Sequence, residues 1–188
     1  MGARAGGSRT RRKRSRGVPQ EGEELAVSAG NTAVSAVEAR LADLGIALPD
    51  VVPPVATYVP AVVTGSHVYT SGQLPFIGGK LTASGKVGAA DGVDAETAAS
   101  LAATCAVNAL AAIKSQIGDL DRITRIVKVV GFVASDPSFT GQSGVINGAS
   151  ELLGAVLGDA GVHARSAVGV AVLPLDSPVE VEVIAEFV

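Results

Sequence analysis

Tryptophan is absent from the 188 residues, and aromatic residues of every kind make up only 3%. Proteins that hold nucleic acid by base stacking draw on more aromatic faces than this chain offers. Cysteine occurs once, at Cys105, which excludes an internal disulfide and any CxxC metal spacing. In its alanine-rich surroundings that thiol reads as a small buried hydrophobe. The two histidines, His67 and His163, form neither an HxH nor an HExxH spacing, so no metal site is expected. No apolar run has the length of a membrane span, and the basic N-terminus is not followed by an apolar signal region. The expectation is a cytoplasmic protein with no membrane partner.

What is present is a small-residue core and an uneven charge. Hydrophobic residues reach 47%, so Val, Ala, Leu and Ile must build the interior. The formal charge is −3, yet seven of the 15 basic residues fall between Arg4 and Arg16, before the first acid at Glu21. The remaining chain carries 8 basic against 18 acidic residues, a net of −10. Such a body repels phosphate backbones, which argues against a nucleic-acid-binding core. Residues 1–30, rich in Gly, Arg and Ser, lack apolar periodicity and read as a disordered extension. Two uses stay open for it: a solvated tail, or an electrostatic tether to nucleic acid or anionic lipid.

Val34, Val37, Leu41 and Leu44 recur at helical spacing, with Asn31 or Thr32 as cap and Gly45 as stop. A proline-rich linker, 48–55, follows, so that 31–54 form a helix and linker ahead of the domain at 55–188. Tyr58–Thr64 and Val68–Gln73 read as two strands joined at Gly65-Ser66. Residues 76–93, with five glycines, read as a loop holding one small strand, without the lysine ending of a phosphate loop. Asp94 caps a helix over Ala95–Ile117. Ile126–Val133 is a central strand, and a second helix runs from about Phe139 to Leu157, weakened by four glycines. Ala167–Leu173 is apolar throughout and predicts a strand buried on both faces. Val179–Ile184 alternates apolar and acidic and predicts a strand with one open face. Pro174, Asp176, Ser177 and Pro178 between them predict a hairpin. The order gives an α+β fold, one mixed sheet with two main helices packed on one face.

The final stretch also carries a resemblance. Ala164-Arg165-Ser166, Leu173-Pro174 and Val179-Glu180-Val181-Glu182 resemble the C-terminal signature of the reactive intermediate/imine deaminase (Rid, YjgF) family. Tyr69-Thr70-Ser71-Gly72-Gln73-Leu74-Pro75 is similar to that family's early strand and turn. The resemblance covers residues 55–188. It implies a chorismate-mutase-like fold, a homotrimer with clefts between subunits, and cofactor-free hydrolytic deamination of reactive enamines and imines such as 2-aminoacrylate and 2-iminobutanoate. Arg165 matches the arginine that holds the substrate carboxylate, and Glu180 the glutamate associated with the water. Tyr58, Ser71 and Gly72 fall at pocket positions, and Asn147 resembles the asparagine of the second helix. Phe139 and Asn147 are eight residues apart, about twice the family's spacing, which implies an inserted helical turn. The family's frequent cysteine two positions after the arginine is Ala167 here, where the backbone carbonyl is what counts.

The residue types suit that chemistry. A guanidinium presents a rigid fork of donors to a carboxylate, and a nearby glutamate can orient a water and move protons. The residues alone leave other uses open: Arg165 as an interface ion-pair partner, Glu180 and Glu182 as solvated acids, Tyr58 as packing. Two other functions remain beside deamination, a module that binds a small carboxylate without turnover, and an endoribonuclease.

Overall fold

The structure, a computed structural model, describes Gly2, residues 35–51 and residues 58–188. The extension read over 1–30, the caps Asn31 and Thr32, and Pro53-Pro54 of the linker lie outside these residues. In chain order the elements are α1 (Ala36–Asp43), β1 (Ala61–Thr64), β2 (His67–Thr70), β3 (Phe76–Ile77), β4 (Lys80–Leu81), α2 (Ala95–Ile117), β5 (Ile123–Ala134), α3 (Gln142–Leu157), β6 (Ala164–Val170) and β7 (Val179–Phe187). Five strands form one sheet in the order β1-β2-β7-β5-β6, and β3 with β4 makes a separate small hairpin. All neighbours in the main sheet are antiparallel except β5 and β6, which run parallel.

The sheet has two unlike faces. On β7, Val179, Val181, Val183 and Ala185 are buried, and on β5 Ile126, Val129 and Val133 join them. Helices α2 and α3 cover this side, so an interior of small aliphatic side chains is closed between two layers. On the other face lie Glu180, Glu182 and Ile184 of β7, Phe132 of β5 and Val168 of β6, all at least partly exposed.

Helix α2 begins where expected, with Asp94 accepting from the Thr97 amide and hydroxyl at 2.8 and 2.7 Å. By length and composition it is apolar enough to cross a membrane, which the reading of apolar runs did not anticipate. Twelve of its residues are buried against the sheet and α3, so that apolarity serves the core. The glycines of α3 have a use beyond weakening it. A Cβ on Gly148 would overlap the carbonyl of Ala99, so glycine is what lets α3 approach α2 this closely. The helix starts at Gln142 rather than Phe139, because Asp136 accepts from the amide and hydroxyl of Ser138 and closes a turn first. Helix α1 is capped by Ser35.

Two expectations are overturned. β6 and β7 form no hairpin: they flank β5 on opposite sides, with Val129 facing Arg165 across one edge and Phe132 facing Glu180 across the other. The connection from Ala171 to Pro178 is too long for a tight turn, and Pro174 and Pro178 lack the N–H groups a ladder needs. It crosses the end of β5 instead, where the Ala134 amide donates to the Pro178 carbonyl at 2.9 Å. Strand β6 is also not buried on both faces. It is the outermost strand, and Val168 keeps 44% of its surface.

Candidate active site

Arg165 enters from β6 on the helix-covered side of the sheet, in register with buried Val129. Its Nη1 donates to Asn147 Oδ1 at 2.8 Å and to Ser150 Oγ at 3.1 Å, and its Nη2 donates to the Ser143 carbonyl at 3.2 Å. Ser143, Asn147 and Ser150 stand at i, i+4 and i+7 of α3, so one stripe of the helix supplies all three acceptors. Among the described residues these contacts take three of the five guanidinium N–H groups. One on Nε and one on Nη2 are left, a pair suited to the two oxygens of a carboxylate. Ala167 lies two residues further along the same face, opposite Gly131. Since β6 is the last strand, one side of its backbone has no partner strand among the described residues.

Glu180 stands on the other face, near the start of β7. A Cβ on Gly72 would overlap Glu180 Oε1, so glycine is what lets the carboxylate rest against the backbone of 71–73. Gln73 fixes that run by exchanging two backbone hydrogen bonds with Val181, at 2.9 and 3.0 Å. Burial raises the pKa of Glu180 above the ordinary carboxylate range, and the negative charge of Glu182 raises it further. The Ser71 hydroxyl donates to the Val59 carbonyl at 2.6 Å and its amide to the Pro60 carbonyl at 2.8 Å. Ser71 therefore anchors the segment after Tyr58, and Tyr58 itself remains 58% exposed.

The seven candidate residues thus form two groups. Arg165, Asn147 and Ala167 gather at the α3 side of β6, while Glu180 and Gly72 are in contact on the helix-free side, with Ser71 and the segment of Tyr58 beside them. Arg165 and Glu180 project from opposite faces of the sheet, so they share no pocket within one chain.

Residues 38–187 match the family described as "YjgF/chorismate mutase-like, putative endoribonuclease". The chain belongs to this family. It is 46% identical to the protein TCP17 of Trypanosoma cruzi over 153 residues, 80% of this chain and 93% of the relative. Among solved structures it is similar to Atu1372 of Agrobacterium tumefaciens, a protein of unknown function, with 47% identity and a TM-score of 0.76 over 81% of this chain and 93% of that one. It is also similar to E. coli TdcF solved with bound serine, at 25% identity and a TM-score of 0.51, over 72% of this chain and 92% of that one. The YjgF/chorismate-mutase-like fold expected from the resemblance is therefore the fold of this chain.

Within this YjgF-like domain, the residues around Arg165 include three that the sequence reading missed. Ser143 and Ser150 were legible as a polar stripe with Asn147 at helical spacing, alongside the buried Ile146, Ala149 and Leu153. His163, two residues before Arg165, shares its side of the chain by the period of a strand. A cavity of about 300 Å³ opens here, lined by Ser150, Gly154, Gly161, Val162, His163 and Arg165. Cys105 is fully buried, and its thiol pKa is raised by that burial first and by the charge of Glu180 second. It acts as core, as its alanine-rich context implied.

Proposed function

We propose that this protein is a cofactor-free hydrolytic deaminase of reactive imino acids, of the 2-aminoacrylate and 2-iminobutanoate type. The observation that carries the reading is the guanidinium of Arg165, tied to α3 by three hydrogen bonds with one N–H on Nε and one on Nη2 left over. A guanidinium held in this way takes a carboxylate at little ordering cost. Glu180 supplies the second requirement. A carboxylate of raised pKa is a stronger base than usual, and once protonated it keeps the proton long enough to return it. As water attacks the imine carbon, Glu180 takes its proton and the C=N electron pair moves to nitrogen. Glu180 returns that proton to the amino group, and the C–N bond breaks as the hydroxyl oxygen forms C=O and gives its own proton back to Glu180. Ammonia leaves and a 2-oxo acid remains.

These groups meet when one chain's Arg165 faces a second chain's Glu180. A closed ring of three chains makes that contact three times, with each cleft at a seam. It also covers the helix-free face, where Val62 and Val168 keep 53% and 44% of their surface and Phe132 and Ile184 lie between. A second reading, capture of a small carboxylate without turnover, is favoured by the serine bound to the TdcF relative. An endoribonuclease reading has the family's description behind it. Against it stand the net of −10 outside the N-terminal segment and the pair Glu180 and Glu182, which repel a phosphate backbone.

The test is ammonia release from 2-iminobutanoate generated in situ. Wild type accelerates it, and Arg165→Ala loses roughly a hundredfold in rate at low substrate. An Arg165→Ala variant as fast as wild type would remove the clamp. Retained 2-oxo acid binding with no acceleration by wild type would favour capture alone.

A further inference from the structure

Behind Arg165 lies a chain of hydrogen bonds that the clamp alone does not require. His163 Nδ1 is 2.6 Å from the Gly161 carbonyl, and because a carbonyl only accepts, Nδ1 carries the proton and donates. In the neutral ring this leaves Nε2 as an acceptor, 3.0 Å from Ser150 Oγ. The Ser150 hydroxyl therefore donates to His163 and turns its lone pairs toward Arg165, whose Nη1 donates to Ser150 at 3.1 Å. The sequence Arg165, Ser150, His163, Gly161 carbonyl runs donor to acceptor at each step, and each bond polarises the next.

Chain geometry makes this arrangement specific. Gly161 and His163 precede β6, and Ser150 comes from α3, so the serine is gripped from the strand side before it meets the guanidinium. With Nη1 saturated by Ser150 and Asn147, rotation of the guanidinium about its own axis is blocked. The remaining donors are confined to the Nε and Nη2 edge. A carboxylate must then approach side-on, in one plane.

Resting on the reading of Arg165 as a carboxylate clamp, we propose that Ser150 and His163 are positioning residues that orient the guanidinium and fix the plane in which the substrate carboxylate binds. Neither touches the substrate. Their contribution is to hold Arg165 in its binding orientation before the ligand arrives, so their loss appears in affinity and KM ahead of kcat.

The experiment measures binding of 2-oxobutanoate, a stable carboxylate, by calorimetry to the full chain and to Ser150→Ala, Ser150→Thr, His163→Leu and Arg165→Ala. All of them are assayed for ammonia release, and those that keep Arg165 are also followed by the NMR signal of its Nε–H. Ser150→Ala and His163→Leu should each weaken binding roughly tenfold, the usual worth of one bond to a charged group. Ser150→Thr, which keeps the hydroxyl, should recover most of the loss. The Nε–H signal should broaden in Ser150→Ala and His163→Leu, and in both KM should rise with kcat within about threefold. Ser150→Ala binding as tightly as wild type with an unchanged Nε–H signal would overturn the proposal. A wild type that binds 2-oxobutanoate through Arg165 yet accelerates no ammonia release would sink the deaminase and leave the positioning role supported by the binding series. Binding that ignores Arg165→Ala would sink the clamp and the proposal together.

Discussion

In the role proposed for it, Glu180 sets function against stability at a single residue. Folding raises its pKa, so the folded chain holds that proton more tightly than the unfolded chain does. The resulting stabilisation is complete below the unfolded pKa and is lost as pH rises through the folded one. At neutral pH the ionised carboxylate, partly buried and beside Glu182, is therefore a cost carried by the fold. Glu180→Gln keeps the shape without the charge. We expect it to melt above wild type at pH 7.5, with the difference closing as pH falls toward 4. Ammonia release should meanwhile fall by about a hundredfold or more, the usual scale for a lost proton-transfer group. Thermal scans across that pH range check the sign. A variant that melts below wild type at neutral pH would mean the carboxylate is stabilised by something other than the groups around it here. Gly72 belongs to the same balance, because any side chain there displaces the carboxylate on which the proposed chemistry depends.

At the scale of elements, the sequence was most legible where the cause of a structure is local. Helix α2 runs from Ala95 to Ile117 as read, because Asp94 and Gly118 mark its ends within the segment itself. The hairpin of β1 and β2 follows in the same way from Gly65-Ser66. The misplaced hairpin of β6 and β7 shows the opposite case. Apolar runs and alternation report which faces a strand hides, not which strand lies beside it, and the choice of β5 as neighbour for both was made across the whole sheet. The site divides along the same line. Arg165 and Glu180 stood out through resemblance, whereas their placement on opposite faces depended on that choice of neighbours. Helix α1 gives a further case. Asp121, about 85 residues away, accepts from the amides of Ala36 and Val37 and from the Ser35 hydroxyl at 2.7 to 2.9 Å. These bonds, the Val37 amide first, hold its carboxyl below the usual range, so their contribution is present above the unfolded pKa and lost as pH falls through the folded one. Asp121→Ala should cost about 1–2 kcal/mol, as the loss of a helix cap does. Hydrogen exchange should then rise in α1 while α2 stays protected. Equal loosening of both helices would contradict a tether confined to α1.

At the scale of the molecule, the proposed site in two groups and a sheet face that no described helix covers point to the same assembly. Covering a few hundred Å² of apolar surface stabilises an assembly by several kcal/mol at about 25 cal/mol per Å². Val168, exposed on that face and in register with Phe132, is the residue through which to disturb it. Val168→Asp should convert a trimer into monomers in sedimentation and reduce ammonia release with Arg165 and Glu180 intact. A wild type that sediments as a monomer at micromolar concentration would sink both the assembly and the shared cleft. Mixing separates a shared cleft from a cleft within one chain. Arg165→Ala and Glu180→Gln chains are each inactive alone, but after co-refolding in equal amounts a cleft works whenever an intact arginine meets an intact glutamate across a seam. Random assembly places that pair at about a quarter of the seams of a closed ring. The mixture should therefore recover about a quarter of wild-type activity, reached only after subunits exchange. Were both groups supplied by one chain, no mixture could contain an intact site, and activity would stay at the level of the separate variants.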